Sequence, residues 1–231
     1  AKPKACHLAI MRAVRPATHC VQEESAAGPL APTRMTVGTG DNVRRATRTF
    51  RVQSITSTPG QYTVDSRGSI GRDLIGVDVA VIVLQSGAAG VEPIDIMRES
   101  HTGLRGQEVT AVGYGQTPSG QVGQKFIATG RVTGTDPNLI YVGALTCQGD
   151  SGGPALVEDP ASGELIVAGV TSFGAGGCGS GYGAYNAIYP FLDLIDAALM
   201  EAGSCLNDGE ERCDGADNDC DELVDETGTP V

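Results

Sequence analysis

The sequence has no long apolar run. Its longest, residues 77–84, is interrupted by Asp78 and is far too short to cross a bilayer, so no membrane span is expected. Bases are scarce: 16 Lys and Arg stand against 28 Asp and Glu. That balance excludes the basic face that a nucleic-acid partner needs. Histidine occurs only three times, so a reaction that needs an imidazole base has few candidates. No signal peptide opens the chain, because Ala1-Lys-Pro-Lys-Ala runs directly into Cys6. The expectation is that an export signal was removed or that the chain is a fragment.

What is present points to a turn-rich β protein. The 231 residues suffice for one large domain or two modest ones, 40% are hydrophobic, and 33 are glycine and 12 proline. Seven cysteines favour an oxidising compartment, hence a secreted, extracellular or cell-surface protein; the alternative is a reduced chain with metal-binding or buried cysteines. An odd count leaves at least one cysteine without an internal partner. The acidity is uneven: residues 203–231 hold ten Asp/Glu and one Arg, which is −9 of the total −12.

Segments 35–37, 50–55, 79–84, 108–113, 125–132 and 165–173 read as short strands separated by Gly, Pro, Ser or Asp. Many strands with no helical pattern between them mean a sandwich or barrels. One helix is predicted over residues 190–202, with Phe191, Leu194, Ile195, Ala198 and Leu199 on one apolar face and Gly203 as its stop. Beyond it the chain turns polar and too poor in apolar residues to build a core. The expected division is a domain over 1–202 and a tail over 203–231.

The strongest chemical signal is Cys147-Gln-Gly-Asp-Ser-Gly-Gly-Pro154. A nucleophilic serine needs its hydroxyl turned toward a base and backbone N–H groups aimed at the developing oxyanion. Flanking glycines permit that turn and a close approach of substrate. The segment resembles the active-site loop of the chymotrypsin/trypsin-type serine proteases, in a form similar to secreted bacterial members and incomplete at the N-terminus. The resemblance asks for an upstream His-Cys pair and finds His19-Cys20; it asks for an aspartate opening an apolar strand and finds Asp78. The order His, Asp, Ser suits this family. His7 and His101 lack the motif, and Asp73 is a nearby rival acid followed by no apolar run.

The resemblance implies an all-β fold of two six-stranded Greek-key barrels, the first incomplete, with a C-terminal helix and an irregular acidic tail. It implies a serine endopeptidase acting on protein or peptide substrates as a monomer, with no cofactor for catalysis. His19, Asp78 and Ser151 would be the triad, and the N–H groups of Gly149 and Ser151 the oxyanion hole. Leu145, Thr146, Gln148, Ser172, Phe173, Gly174 and Gly183 would contact substrate. Leu145 stands where an aspartate selects Lys or Arg, which suggests an apolar or uncharged residue before the cut, or broad specificity. Cys147 with Cys178, and Cys6 with Cys20, match the family's disulfides.

The start departs from the family. Pro16 would remove a ladder donor, and Arg12 and Arg15 interrupt an expected buried strand. The family pairs the aspartate before the serine, here Asp150, with an apolar N-terminal ammonium, and Ala1-Lys2-Pro3-Lys4 does not resemble one. A binding or adhesion homologue without activity is therefore the alternative reading. The tail resembles an Asp/Cys-rich metal-binding motif of secreted bacterial proteins. Asp214, Asp217, Asp219, Asp221 and Asp225 offer oxygen donors suited to calcium. The EF-hand rule fails, with Glu222 and Gly228 at the sixth and twelfth positions from Asp217. A solvated acidic linker, or a tether at the cell surface, are the other readings of the tail.

Overall fold

The most apolar strand organises the first half of the molecule. In the computed structural model, which describes residues 13–14, 16–26, 28–64 and 70–203, β4 (Ala80–Leu84) is buried along its whole length. Ala80, Ile82 and Leu84 pack with Val21, Val52 and Ala88. Val81 and Val83 face the other way, onto Leu156, Val167, Val170 and Ile195. A strand covered on both faces needs no polar alternation, which is why this stretch reads as one apolar run.

Strand β4 pairs with β1 (Ala13–Val14) and β3 (Arg48–Ser57), and β3 pairs with β2 (Thr36–Thr39), all antiparallel. The order is β1-β4-β3-β2. The expectation of two six-stranded barrels is overturned here: among the described residues this half is an open four-stranded sheet. The physical reason lies at its edges. Strand β1 has two residues and stops ahead of Pro16, which lends β4 only its carbonyl, to the Ala80 N–H at 2.9 Å. Strand β2 pairs with β3 alone, so the edges never join.

The second half is a closed barrel of β5 (Glu108–Gly113), β6 (Phe126–Thr135), β7 (Leu139–Gly143), β8 (Pro154–Glu158), β9 (Leu165–Ala175) and β10 (Tyr182–Ala187). Its order, β10-β7-β6-β5-β8-β9, has β5, β6 and β7 in sequence and β8 returning beside β5, which is a Greek key. The β7–β8 connection, residues 144–153, must therefore cross to a non-adjacent strand, and it carries the serine motif. Val109, Ala111, Val132, Ile140, Val142, Val157 and Tyr185 fill the interior. Helix α1 (Leu192–Glu201) buries Ile195, Ala198 and Leu199 against β4, β8 and β9, joining barrel to sheet. Its predicted first residues, 190 and 191, belong instead to a 3-10 turn, Tyr189–Phe191. The tail residues lie outside the described residues.

Candidate active site

His19 lies in a short 3-10 turn, Thr18–Cys20, which the sheet fixes through its neighbour. The Thr18 hydroxyl donates to the Val79 carbonyl at 2.8 Å and meets the Thr58 hydroxyl at 2.9 Å. Asp78, one residue ahead on the approach to β4, is fully buried. A carboxylate there must be hydrogen-bonded, and it is. Its Oδ1 accepts the His19 backbone N–H at 2.9 Å, and its Oδ2 faces His19 Nδ1 at 2.6 Å. Oδ2 also accepts the Ser172 hydroxyl at 2.6 Å. An ionised carboxylate only accepts, so the bond assigns the proton to Nδ1 and leaves the Nε2 lone pair free.

The His19 pKa is the balance of opposed effects. Burial works to lower it, but the hydrogen bond to Asp78, then the Cys20 side chain and the Asp78 charge, raise it above the ordinary histidine value. Tyr62 stacks obliquely on the ring at 5.6 Å between centroids. The other candidates are used elsewhere or not at all. His101 is buried with Nε2 at 2.8 Å from the Asp136 carbonyl, Asp73 is exposed, and His7 lies outside the described residues.

Ser151 is exposed on the turn of the β7–β8 connection. Gly149 and Gly152 take φ of +93° and +80° in this turn, where a side chain would be strained. Gly152 N–H donates to Thr171 O at 2.9 Å and Thr171 N–H to Gly153 O at 2.8 Å, pinning the turn to β9. Gly152 also packs on the histidine turn: a Cβ built there would lie 3.3 Å from Ala17 N and 3.4 Å from Cys20 Sγ. The residue after Ser151 thus touches the segment that carries His19. Among the described residues no protein atom hydrogen-bonds the Ser151 hydroxyl; base–nucleophile bonds are often long before substrate arrives. The N–H groups of Gly149 and Ser151 donate to no described acceptor.

Asp150 is held by backbone donors. Its Oδ1 accepts the Gly115 N–H at 2.7 Å and its Oδ2 the Cys147 N–H at 2.8 Å. Glycine is required at 115, where a Cβ would stand 2.6 Å from Oδ1. Residues 1–4 lie outside the described residues. So does Cys6; Cys20 is a partly exposed free thiol among those described.

The substrate-binding candidates gather around the Cys147–Cys178 disulfide, whose Cα atoms are 5.1 Å apart. Ser172, Phe173 and Gly174 lie on β9, Gly183 faces Gly174 across the β9–β10 ladder, and Gln148 is exposed on the serine loop. Leu145 packs toward Gly130 and the barrel core, whereas Thr146 turns its hydroxyl toward Gly183. Sequence reasoning read Ser172 as a substrate contact and missed its bond to Asp78. No local signal links residues 94 apart. It also missed the parts played by Thr18 and Thr58. The tail aspartates fall outside the described residues, among which no three His, Cys, Asp or Glu side chains converge on a possible metal position. A family model described as Trypsin matches residues 8–195.

Proposed function

The chain belongs to the trypsin family and is a serine endopeptidase, and from that premise we propose that Ser151, His19 and Asp78 perform its chemistry. The observation that carries the assignment is the His19–Asp78 pair, Nδ1 to Oδ2 at 2.6 Å, with the serine turn packed on the histidine segment through Gly152. His19 Nε2 takes the Ser151 proton as Oγ attacks the scissile carbonyl carbon. The carbonyl π electrons move to oxygen, and the N–H groups of Gly149 and Ser151 hold that oxyanion. Collapse of the intermediate breaks the C–N bond, and His19 passes the proton to the leaving amine. Water, deprotonated by His19, attacks the acyl-enzyme, and Ser151 recovers its proton as the acid departs. Asp78 keeps the imidazole in the Nδ1–H tautomer and stabilises its charged form. No step needs a cofactor.

Ser172 is not the nucleophile in this reading. It is almost fully buried, and its hydroxyl is spent on Asp78. Fluorophosphonate labelling tests the assignment: the chain and a Ser172→Ala variant are expected to label, and Ser151→Ala is not. Labelling that survives Ser151→Ala would sink it.

We also propose export to an oxidising compartment, which the Cys147–Cys178 disulfide supports, and a protease domain ending near residue 202. The residues after it are proposed as a calcium-binding tail of the bacterial type, on the strength of their alternating aspartates. A monomeric state is likewise a proposal; the expected Cys6–Cys20 disulfide is not carried over, because Cys20 is a free thiol.

A further inference from the structure

The two oxyanion donors are held by different means. The Ser151 N–H belongs to the peptide whose carbonyl, on Asp150, accepts the Gly153 N–H at 2.9 Å within the serine turn itself. The Gly149 N–H belongs to the peptide of Gln148. That carbonyl is held from outside the turn, by the Gln116 N–H at 2.9 Å. A trans peptide is planar, with its C=O and N–H pointing to opposite sides. Pinning the Gln148 carbonyl onto Gln116 therefore aims the Gly149 N–H away from residue 116. Glycine at 149, with φ +93°, leaves that plane free to rotate once the carbonyl is released.

Residues 114–116 meet the serine turn at two further points. The Gly115 N–H donates to Asp150 Oδ1 at 2.7 Å, and a Cβ built on Gly149 would stand 3.2 Å from Gly115 Cα. The ladder of β5 ends at Gly113, so no strand pairing holds these three residues in place. Tyr114 supplies the hold. Its half-buried phenol donates to the Gly40 carbonyl at 2.6 Å, reaching across to the β2–β3 hairpin. Its own carbonyl accepts the Gly123 N–H at 2.8 Å. The acceptor is itself well placed: beside Gly40 the hairpin is closed by the Thr47 N–H on the Thr39 carbonyl at 2.7 Å.

We propose that Tyr114 is a positioning residue for the oxyanion hole. By tying residues 114–116 to the hairpin, its hydroxyl keeps the Gln148–Gly149 peptide turned so that the Gly149 N–H faces the developing oxyanion. The proposal rests on the endopeptidase reading above. Charge develops on the substrate oxygen only as Ser151 Oγ bonds to the carbonyl carbon. A misaimed donor therefore weakens the transition state more than the bound substrate, and loss of the hydroxyl acts on kcat rather than on KM. The base is independent of this tether: among the described residues neither His19 nor Asp78 hydrogen-bonds to residues 114–116.

The test is Tyr114→Phe in the full chain beside Lys125→Met, with kcat and KM for one peptide substrate expressed per fluorophosphonate-labelled site, so that a misfolded fraction does not enter. Lys125 pairs with Asp41 at 2.5 Å on the same hairpin, but its contact does not pass through residues 114–116. In Tyr114→Phe kcat is expected to fall by about tenfold, a part of the roughly 10²–10³ that outright loss of an oxyanion donor costs. KM should stay within about twofold of the parent, and the acid limb of the pH profile should not move. A peptide aldehyde, whose adduct with Ser151 places an oxyanion at the same N–H groups, should lose affinity by the same factor as kcat. Lys125→Met should keep the parent kcat. An unchanged kcat in Tyr114→Phe, a loss carried by KM or by a moved acid limb, or an equal loss in Lys125→Met overturns the assignment to Tyr114 alone. A folded parent chain that takes no label overturns the peptidase reading and this proposal with it.

Discussion

The closed barrel and the open sheet hold their catalytic groups by different means. The barrel carries Ser151 on a crossing connection whose ends are clamped by backbone ladders, β7 to β10 on one side and β8 to β9 on the other. Backbone hydrogen bonds to Thr171 then set the turn itself. The sheet has no such closure. It holds His19 through side chains: Thr18 and Thr58 bonded to each other and to Val79, and Asp78 bonded to the histidine twice. Among the described residues, one hydrogen bond at the triad crosses between the halves, from Ser172 on β9 to Asp78. The lesson is that main-chain topology positions the nucleophile, while a small buried polar network positions the base. Such a network is worth most when every member is satisfied.

The largest effect that would sharpen this contrast is expected from Asp78→Asn. The amide has one acceptor oxygen, so it cannot accept on both sides as the carboxylate does: its NH2 must face either the His19 backbone N–H or the ring, where it forces the wrong tautomer, and kcat should fall by about 10⁴. The pH dependence gives the sign. His19 has a raised pKa in the folded chain, so the enzyme needs pH above the ordinary value near 6.5 to hold a neutral base. The acid limb of kcat/KM should lie above that value and move down in Asp78→Asn. The protonated pair contributes stability in the opposite direction: it is fully present below about 6.5 and lost as pH rises through the folded pKa. An acid limb at or below 6.5 in the parent chain would break the argument.

Ser172→Ala removes the hydrogen bond that ties the barrel to Asp78, and a drop in kcat of about tenfold is expected, in line with the loss of a hydrogen bond to a charged group. KM should change less. With one donor gone, the Asp78 charge acts more fully on the imidazole, so the acid limb should shift to higher pH. A merely structural role for Ser172 would lower activity without moving that limb. The smallest effect is expected from Thr18→Val on the sheet side. It breaks the buried hydroxyl network at a cost of about 1–2 kcal/mol. The thermal midpoint should fall by a few degrees, about 2–4 °C per kcal/mol for a chain of this size. An unchanged midpoint would mean that the hydroxyls do not stabilise the histidine turn.

Much of the site was legible in the sequence because its signals are local. The serine turn needs glycine at positive φ on both sides of Asp150-Ser151, and that demand shows in consecutive residues. The unbroken apolar run after Asp78 reflects a strand covered on both faces. Other strands left weaker traces. Strand β10 is Tyr-Gly-Ala-Tyr-Asn-Ala, whose small residues carry little strand propensity, yet it closes the barrel because β7 and β9 pair with it on both edges. Strand β8 opens on Pro154, tolerated as a first residue. The expectation of a second barrel failed because closure depends on whether two edges meet, which no strand pattern encodes.

The sequence by itself determined the chemistry available: one histidine in motif context, a serine between glycines, and an aspartate before an apolar strand. Those are properties of neighbouring residues, and short-range sterics express them. Only the tertiary structure decided that Asp78 also accepts a hydrogen bond from Ser172, that Asp150 is held by two backbone N–H groups, and that Leu145 turns away onto Gly130. Each of the three depends on how separate elements meet: β9 with the approach to β4, the β7–β8 connection with the segment after β5, and that connection with β6. Such meetings are set by strand register and core packing across the whole chain, where no short stretch of residues holds the information.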